Sequence, residues 1–199
     1  TKKVRQVTDG STWYSTGGGF DYSWSPDGKW FTLEFTGNKH DPYSDIGLVS
    51  AQGGNIINLT NSGYTSGSPR WVLDGNAILF ITERYGMRAH ASWGSLNDVM
   101  LVFMNQDAYD KFRLNKEDYE LLKEEEKRIA SLKNKEQKED QKDKKGETKP
   151  AVKEKKNIEV ELRGIEDRVM RLTPNSSQLG DAILSKNGDK FYYMASFEG

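Results

Sequence analysis

The chain has 199 residues, a formal net charge of −1 and no cysteine. The near-neutral total gives no electrostatic case for nucleic-acid binding, which would need a basic face, and without cysteine the chain cannot form disulfides or thiolate metal sites. Two histidines in all argue against a transition-metal site, and no apolar run is long enough for a transmembrane helix. Residues 116–157 hold 14 of the 29 Lys and Arg and 12 of the 30 Asp and Glu. The remainder, rich in Trp, Tyr and Phe, reads as a β-rich body that carries a charged insertion.

The first part of the chain is patterned as short strands separated by tight turns. Residues 1–8 read as the last strand of an earlier unit. Four strands are then predicted at about 20–25, 30–36, 45–50 and 55–60. The turn Ser25-Pro26-Asp27-Gly28 joins the first two, and Gly53-Gly54, which tolerate positive φ, join the last two.

This turn and a second marker recur along the chain. Trp24, Asp27 and Gly28 return 47 residues later as Trp71, Asp74 and Gly75, and a weaker copy spans 184–190. A second marker, Val7-Thr8, Leu59-Thr60 and Leu172-Thr173, precedes each turn glycine; Thr60 and Thr173 lie 15 residues before it, and Thr8 lies 20 residues before Gly28. Two markers in constant phase over short strands are typical of β-propeller blades.

The second unit is interrupted after its third strand. Strands are predicted at about 68–72, 77–83 and 97–104, and the next strand-like run is 158–162. Between them, residues 116 to about 132 read as a helix with a narrow apolar stripe and a Glu124–Arg128 pair. Residues 133–156 have almost no apolar side chains and read as flexible or disordered. The insertion is interpreted as a solvated excursion, with a docking arm for a partner as the alternative.

The predicted fold is thus all-β: a partial β-propeller of about two to three four-stranded blades with a charged helical and disordered insertion. Blades occupy residues 1–104, the insertion 105–157, and the propeller continues through 158–199. A closed propeller needs at least about four blades. We therefore expect this chain to be a fragment or to cover its open edges by pairing with other chains, for example as a homo-oligomer.

Two stretches resemble a known family. The turn repeat is similar to the TolB-like propeller repeat. Residues 83–95, leading into Asn97-Asp98-Val99, and residues 164–174 resemble segments of the N-terminal propeller of bacterial tricorn-type serine proteases. The resemblance implies a parent serine peptidase in the periplasm, whose catalytic residues belong to a C-terminal protease domain. This chain would then be non-catalytic and would help to admit or select peptides or unfolded protein for that domain and the remaining blades.

The loop after the second unit's second strand carries the candidate binding residues. They form a polar and aromatic cluster that could contact a peptide backbone or carboxylate: Arg84, Arg88, His90 and Trp93. The alternative is that Trp93 packs in the core and the arginines pair with local acids.

No catalytic, cofactor-binding or metal-ligating residue is predicted. His40 beside Asp41 reads as a solvated turn, and His90 near Ser92 and Ser95 lacks a nucleophile elbow. Gly17–Gly19 lacks the Lys-Ser/Thr of a phosphate loop, so no cofactor is expected. Glu166-Asp167-Arg168 reads as a local hydrogen-bonded turn.

Two other functions stay open. One is a TolB-like protein-protein interaction propeller without protease activity, and the other is the propeller of a prolyl-oligopeptidase-like hydrolase. Each of the three functions predicts a different segment C-terminal to residue 199. A PDZ-like segment with a protease domain, no further domain, or an α/β-hydrolase domain would distinguish them.

Overall fold

The computed structural model of the chain describes residues 3–10, 21–37, 43–87, 95–140 and 157–196. The described part is mostly β, with antiparallel sheets and two α-helices. The predicted all-β class is therefore confirmed, while the finer assignment to a propeller stays a prediction. Neither helix in these ranges has the length and apolar content of a membrane-spanning helix.

The first sheet has four sequential antiparallel strands in the order β1-β2-β3-β4. They are β1 (Tyr22–Trp24), β2 (Trp30–Phe35), β3 (Asp45–Ser50) and β4 (Ile57–Asn58). In β2 the adjacent Trp30 and Phe31 are half-buried on opposite faces, and Thr32 and Leu33 are buried on opposite faces, so the strand is covered on both sides. Gly53 and Gly54 have φ of 89° and 133° in the β3–β4 connection, which confirms that turn as well.

The second sheet repeats this arrangement, with the order β5-β6-β7-β8. Its strands are β5 (Ser66–Val72), β6 (Ala77–Thr82), β7 (Asp98–Phe103) and β8 (Val169–Arg171). All six residues of β7 are buried, which agrees with its continuous apolar sequence. A further antiparallel hairpin follows, made by β9 (Gln178–Leu184) and β10 (Phe191–Ser196).

The main core lies between the two four-stranded sheets. Ile46 and Leu48 of β3 pack against β6 and β7 through Ile78, Phe80, Met100 and Val102. The other face of the first sheet buries Leu33, Phe35 and Val49, with Val7 packed against them. Residues 3–8, predicted as a strand, form none; they run across that face in irregular conformation.

The recurring turn has the same hydrogen bonds in its first and third copies. The Ser25 hydroxyl accepts the N–H groups of Lys29 (3.2 Å) and Trp30 (2.9 Å), and the Ser185 hydroxyl accepts that of Lys190 (3.0 Å). Gly28 and Gly188 both have φ of 74°. The third copy, which is the weaker match in sequence, is therefore closer to the first copy in geometry than the second copy is.

The second copy differs because Val72 replaces the serine and offers no hydroxyl. Its turn is a 3-10 segment, Leu73–Gly75, in which Leu73 and Asp74 have φ of 53° and 54°. Positive φ at a residue with a side chain is strained. The serine therefore decides the turn type more than the shared Asp-Gly does.

The segment between β7 and β8 contains the two helices, α1 (Gln106–Phe112) and α2 (Lys116–Asp140). The side-chain oxygens of Asn105 and Asn115 accept the N–H groups of Ala108 (2.8 Å) and Asp118 (2.9 Å), which caps both helices. The chain divides into two compact units, one comprising Thr1–Tyr109 with Lys156–Gly199 and the other Asp110–Lys155. The predicted domain boundaries stay a prediction.

Three local predictions in this region need correction. The helix continues to Asp140, so residues 133–140 are helical rather than flexible; residues 141–156 lie outside the described ranges. Arg128 pairs with Glu125 at 3.9 Å instead of Glu124. Residues 158–162 form no strand, and β8 is the strand that pairs with β7.

The segment 157–168 is held instead by a buried arginine. Arg168 is 3% exposed, and its guanidinium donates to the carbonyl oxygens of Phe103 (3.3 Å), Arg163 (3.0 Å) and Glu161. These bonds take the place of a strand ladder for this stretch. The predicted turn at 166–168 is confirmed as part of a 3-10 segment, Ile165–Asp167, closed by Arg168 N donating to Ile165 O at 3.1 Å.

Candidate peptide-binding site

The loop that leaves β6 is fastened at its base by Glu83. The Glu83 N–H donates to Thr65 O at 3.1 Å, and its carboxylate accepts the Thr65 N–H at 3.1 Å and the Ser95 hydroxyl at 2.8 Å. One residue therefore ties the outgoing arm of the loop to β5 and to the returning arm. The loop base is positioned by the sheet, which is what a binding surface requires.

The two arms of the loop approach closely at Gly86. A Cβ at this position would lie 1.7 Å from the Leu96 carbonyl oxygen, a distance that no side chain can occupy. Next to it, the Leu96 N–H donates to Met87 O at 3.0 Å. The φ angle of Gly86 is not positive, so its backbone conformation does not require glycine. The close approach of the Leu96 carbonyl does.

A buried carboxylate organises the end of the second sheet beneath this loop. Asp98 is 0% exposed. Its Oδ1 accepts Arg171 Nε (2.9 Å), Arg171 Nη2 (2.8 Å) and the Thr173 hydroxyl (2.7 Å), and its Oδ2 accepts the Ser176 hydroxyl (2.7 Å). A buried charge is tolerated only when it is paired and hydrogen-bonded, and Asp98 satisfies both conditions.

The first sheet has the same kind of cap on Asp45. The Thr60 hydroxyl donates to Asp45 Oδ1 (2.6 Å) and accepts the Ile46 N–H (3.1 Å), just as Thr173 does with Asp98 and Val99. The Leu-Thr marker of the sequence therefore has a physical role: its threonine closes the last strand onto a buried aspartate.

The candidate surface is an exposed tyrosine with two arginines close to its ring. Tyr85 is 51% exposed. The guanidinium carbons of Arg84 and Arg171 lie 5.6 Å and 5.4 Å from its ring centroid, within cation–π range. Arg171 is oriented by Asp98, and its side chain keeps 34% exposure. Among the described residues, no carboxylate forms an ion pair with Arg84.

The cluster combines the Arg171 guanidinium, which is paired with Asp98, the Arg84 guanidinium and an exposed aromatic ring. These groups suit a carboxylate and an apolar or planar group. Within the described ranges no three His, Asp or Glu side chains are grouped as a metal site would need.

The predicted site residues fall partly outside the described ranges. Arg84 is described and lies in the cluster, whereas Arg88, His90 and Trp93 lie outside, as do His40, Ser92 and Gly17–Gly19. Sequence reasoning missed Tyr85 and Arg171. Arg171 directly precedes the Leu172-Thr173 marker, so the repeat spacing that located the threonine could also have placed it at the end of the sheet.

No protein-family model and no curated protein matches this chain. Among solved structures, the crystal structure of the tricorn protease is similar over 82% of this chain and 14% of its own, with a TM-score of 0.44 and 10% identity. The chain thus spans a small part of that protein's length. A likeness of this size carries no argument about activity.

Proposed function

We propose that this chain is a non-catalytic propeller portion of a tricorn-like serine protease and that it binds peptides at the Arg84–Tyr85–Arg171 cluster. In this role it delivers or selects peptides, or unfolded protein, for a protease domain outside this chain. The observation that carries the proposal is the exposed Tyr85 ring within cation–π range of two guanidiniums.

The position of the cluster supports the link to the family. Arg84 and Tyr85 belong to the first family-like stretch, residues 83–95, and Arg171 belongs to the second, residues 164–174. The two are far apart in sequence, yet Arg171 lies 5.4 Å from the Tyr85 ring centroid. The stretches that carry the resemblance therefore meet at one exposed surface.

The repeated sheets support the propeller assignment. Each of the two sheets is a four-stranded antiparallel meander, the two pack face to face, and a hairpin with the same turn follows. This is how successive propeller blades are built. The periplasmic location and the parent's protease and remaining blades as partners are part of the same proposal and rest on the sequence resemblance.

The substrate class follows from the charges. Arg171 is already bound to Asp98, so Arg84 supplies the free positive charge and Tyr85 the contact surface. We expect peptides with a carboxylate next to an apolar or aromatic residue, which includes a free C-terminus, to bind better than their amidated or neutral counterparts.

Peptide binding can be tested by fluorescence anisotropy. Labelled peptides that end in an aromatic residue with a free carboxylate would be compared with their C-terminal amides. Arg84→Ala and Tyr85→Ala should each weaken binding by about fivefold to thirtyfold, the range for an exposed interface contact of about 1–2 kcal/mol. Arg84→Lys should recover part of the affinity because it restores the charge without the planar fork.

The control is Arg128→Ala, which removes one exposed arginine from α2 in the other compact unit. Equal binding by all four variants would refute the site. Binding of folded proteins but of no peptide would favour the TolB-like interaction propeller, and peptide turnover by this chain would refute the non-catalytic assignment.

A further inference from the structure

A half-buried carboxyl group lies between the two four-stranded sheets. Glu34 belongs to β2, on the face opposite Leu33, and therefore points away from the outer cluster of the first sheet. Its carboxyl group is hydrogen-bonded to the Ser44 hydroxyl and to the Ser68 N–H. A Cβ on Gly67 would lie 2.7 Å from Glu34 Oε2, so this group lies directly against β5. Both sheets that enclose Glu34 belong to this chain.

Three buried hydroxyl groups connect Glu34 with Arg84 of the candidate site. Ser44 Oγ donates to Ser66 O at 2.9 Å, and the Ser66 N–H donates to Ser44 O at 2.8 Å. The Ser66 hydroxyl donates to Thr82 Oγ1 at 3.0 Å, which in turn accepts the Arg84 N–H at 3.3 Å. Ser44, Ser66 and Thr82 are all buried. We call this series of hydrogen bonds the hydroxyl chain.

The Ser44 hydroxyl has one proton for two acceptors. An ionised carboxylate only accepts hydrogen bonds, so Ser44 can bond to ionised Glu34 only by donating the proton that Ser66 O would otherwise accept. A protonated Glu34 donates to Ser44 Oγ instead, and Ser44 then donates to Ser66 O. The 2.9 Å bond from Ser44 Oγ to Ser66 O is thus compatible with both contacts only when Glu34 is protonated.

We propose that protonation of Glu34 completes the hydroxyl chain and thereby strengthens peptide binding by Arg84. The effect passes through Thr82, whose hydroxyl holds the backbone of Arg84 where the loop leaves β6. This inference rests on the proposed peptide-binding function. The coupling between Glu34 and the Arg84 N–H can be measured without it.

The charged groups around Glu34 act in the same direction. Burial raises the pKa of Glu34, the charge of Asp21 raises this pKa further, and the two hydrogen bonds to the carboxyl group oppose the rise. β5 contributes one charged residue, Arg70, which is paired with Asp181 at 2.8 Å. The charge of β3 is Asp45, which is bound within its own cap. Glu34 therefore takes up its proton above the ordinary carboxyl range.

The coupling can be measured by NMR on the whole chain. The amide signal of Ser68 reports Glu34 directly, and that of Arg84 reports the far end of the hydroxyl chain. Both should shift with the same midpoint, above the ordinary carboxyl range. Glu34→Gln should remove this shared transition from both amides. Ser44→Ala should keep it at Ser68 and remove it at Arg84, because only the hydroxyl chain is interrupted. Any transition that Glu83 causes in its neighbour Arg84 persists in both variants.

Peptide affinity tests the consequence for binding. In the anisotropy assay, wild-type affinity should rise about twofold to tenfold as the pH falls through the Glu34 transition. Glu34→Gln and Ser44→Ala should show no rise over the same range. Ser131→Ala, which removes a serine hydroxyl from α2, should behave like the wild type. The amidated peptide should show the same relative rise, which separates the effect of Glu34 from titration of the peptide's own terminus.

Several results would overturn the proposal. An Arg84 amide that does not follow Ser68 in the wild type, or that still follows it in Ser44→Ala, would refute the coupling. Shared transitions with a peptide affinity independent of pH would refute the effect on binding. If no peptide binds at any pH while the amides behave as expected, the proposed function fails and the coupling stands. Circular dichroism checks folding; should Ser44→Ala not fold, a wild-type transition of Arg84 that persists in Glu34→Gln is enough to refute the coupling.

Discussion

Replacing Thr173 by valine should destabilise the second sheet although the two side chains have nearly the same shape. Thr173 is 2% exposed. Its hydroxyl donates to Asp98 Oδ1 at 2.7 Å and accepts the Val99 N–H at 3.2 Å. Valine fills the same space but can make neither bond. The substitution therefore removes a donor from a buried carboxylate and leaves a buried N–H without its partner.

The magnitude follows from these two losses. A hydrogen bond to a charged group contributes about 1.5–3 kcal/mol, and a buried group left unsatisfied costs about 1–3 kcal/mol. The two terms share one hydroxyl and are not additive, and Arg171 and Ser176 still bind Asp98. We expect a loss of about 3 kcal/mol in the free energy of unfolding. Thr173→Ser keeps the hydroxyl and should lose about 1 kcal/mol for the methyl group.

Urea unfolding of the wild type and the two variants measures these differences. Thr60→Val in the first sheet is a matched test, since the Thr60 hydroxyl donates to Asp45 (2.6 Å) and accepts the Ile46 N–H (3.1 Å). It should behave like Thr173→Val. If valine costs no more than serine at both positions, the threonine caps do not hold the sheets together and the reasoning is wrong.

Two further predictions concern Glu34 and Gly86. Burial raises the pKa of Glu34; the Asp21 charge adds to this, while hydrogen bonds from Ser44 and the Ser68 N–H oppose it. The folded chain therefore binds this proton more tightly than the unfolded one, and its stability gains as the pH falls from the raised folded value to the ordinary carboxyl value. Glu34→Gln resembles the protonated side chain, so its advantage in stability over the wild type should shrink as the pH falls through that window. A difference that is independent of pH would contradict this prediction. Gly86→Ala places a Cβ 1.7 Å from the Leu96 carbonyl oxygen, so it should displace Tyr85 and weaken peptide binding at least about tenfold; Gly63→Ala, with nothing within 4 Å, is the control, and equal affinities would refute the steric argument.

The positions of β1–β3 and β5–β7 were predictable because their signals are local. The Gly53-Gly54 turn and the continuous apolar sequence of β7 report directly on backbone conformation and on burial. The alternating pattern of residues 158–162 predicted a strand that does not form. Ile158 packs near Gly75, and the Glu161 N–H donates to Met104 O (2.8 Å) outside any strand. What decides that region is the buried Arg168, and a local pattern carries no information about a distant guanidinium.

For the same reason, the sequence predicted only one of the three residues of the candidate site. Arg84 lies on a polar loop and stands out, whereas Arg171 sits in a short strand that looks like any β-rich stretch. Its importance depends on Asp98, 73 residues away in sequence, and on the loop that brings Tyr85 over it. Only the tertiary structure joins these three residues.

The two sheets differ in the residue that binds the buried aspartate at this end. Asn58 and Arg171 occupy the same place, each two residues before the marker threonine, and each binds the buried aspartate of its own sheet: Asn58 Nδ2 donates to Asp45 Oδ2 at 2.8 Å, and Arg171 donates to Asp98. An amide is therefore sufficient for the cap. The longer guanidinium does more than the cap requires, because it also reaches the Tyr85 ring. This additional contact distinguishes the second sheet from the first and agrees with the proposed role of Arg171 in peptide binding.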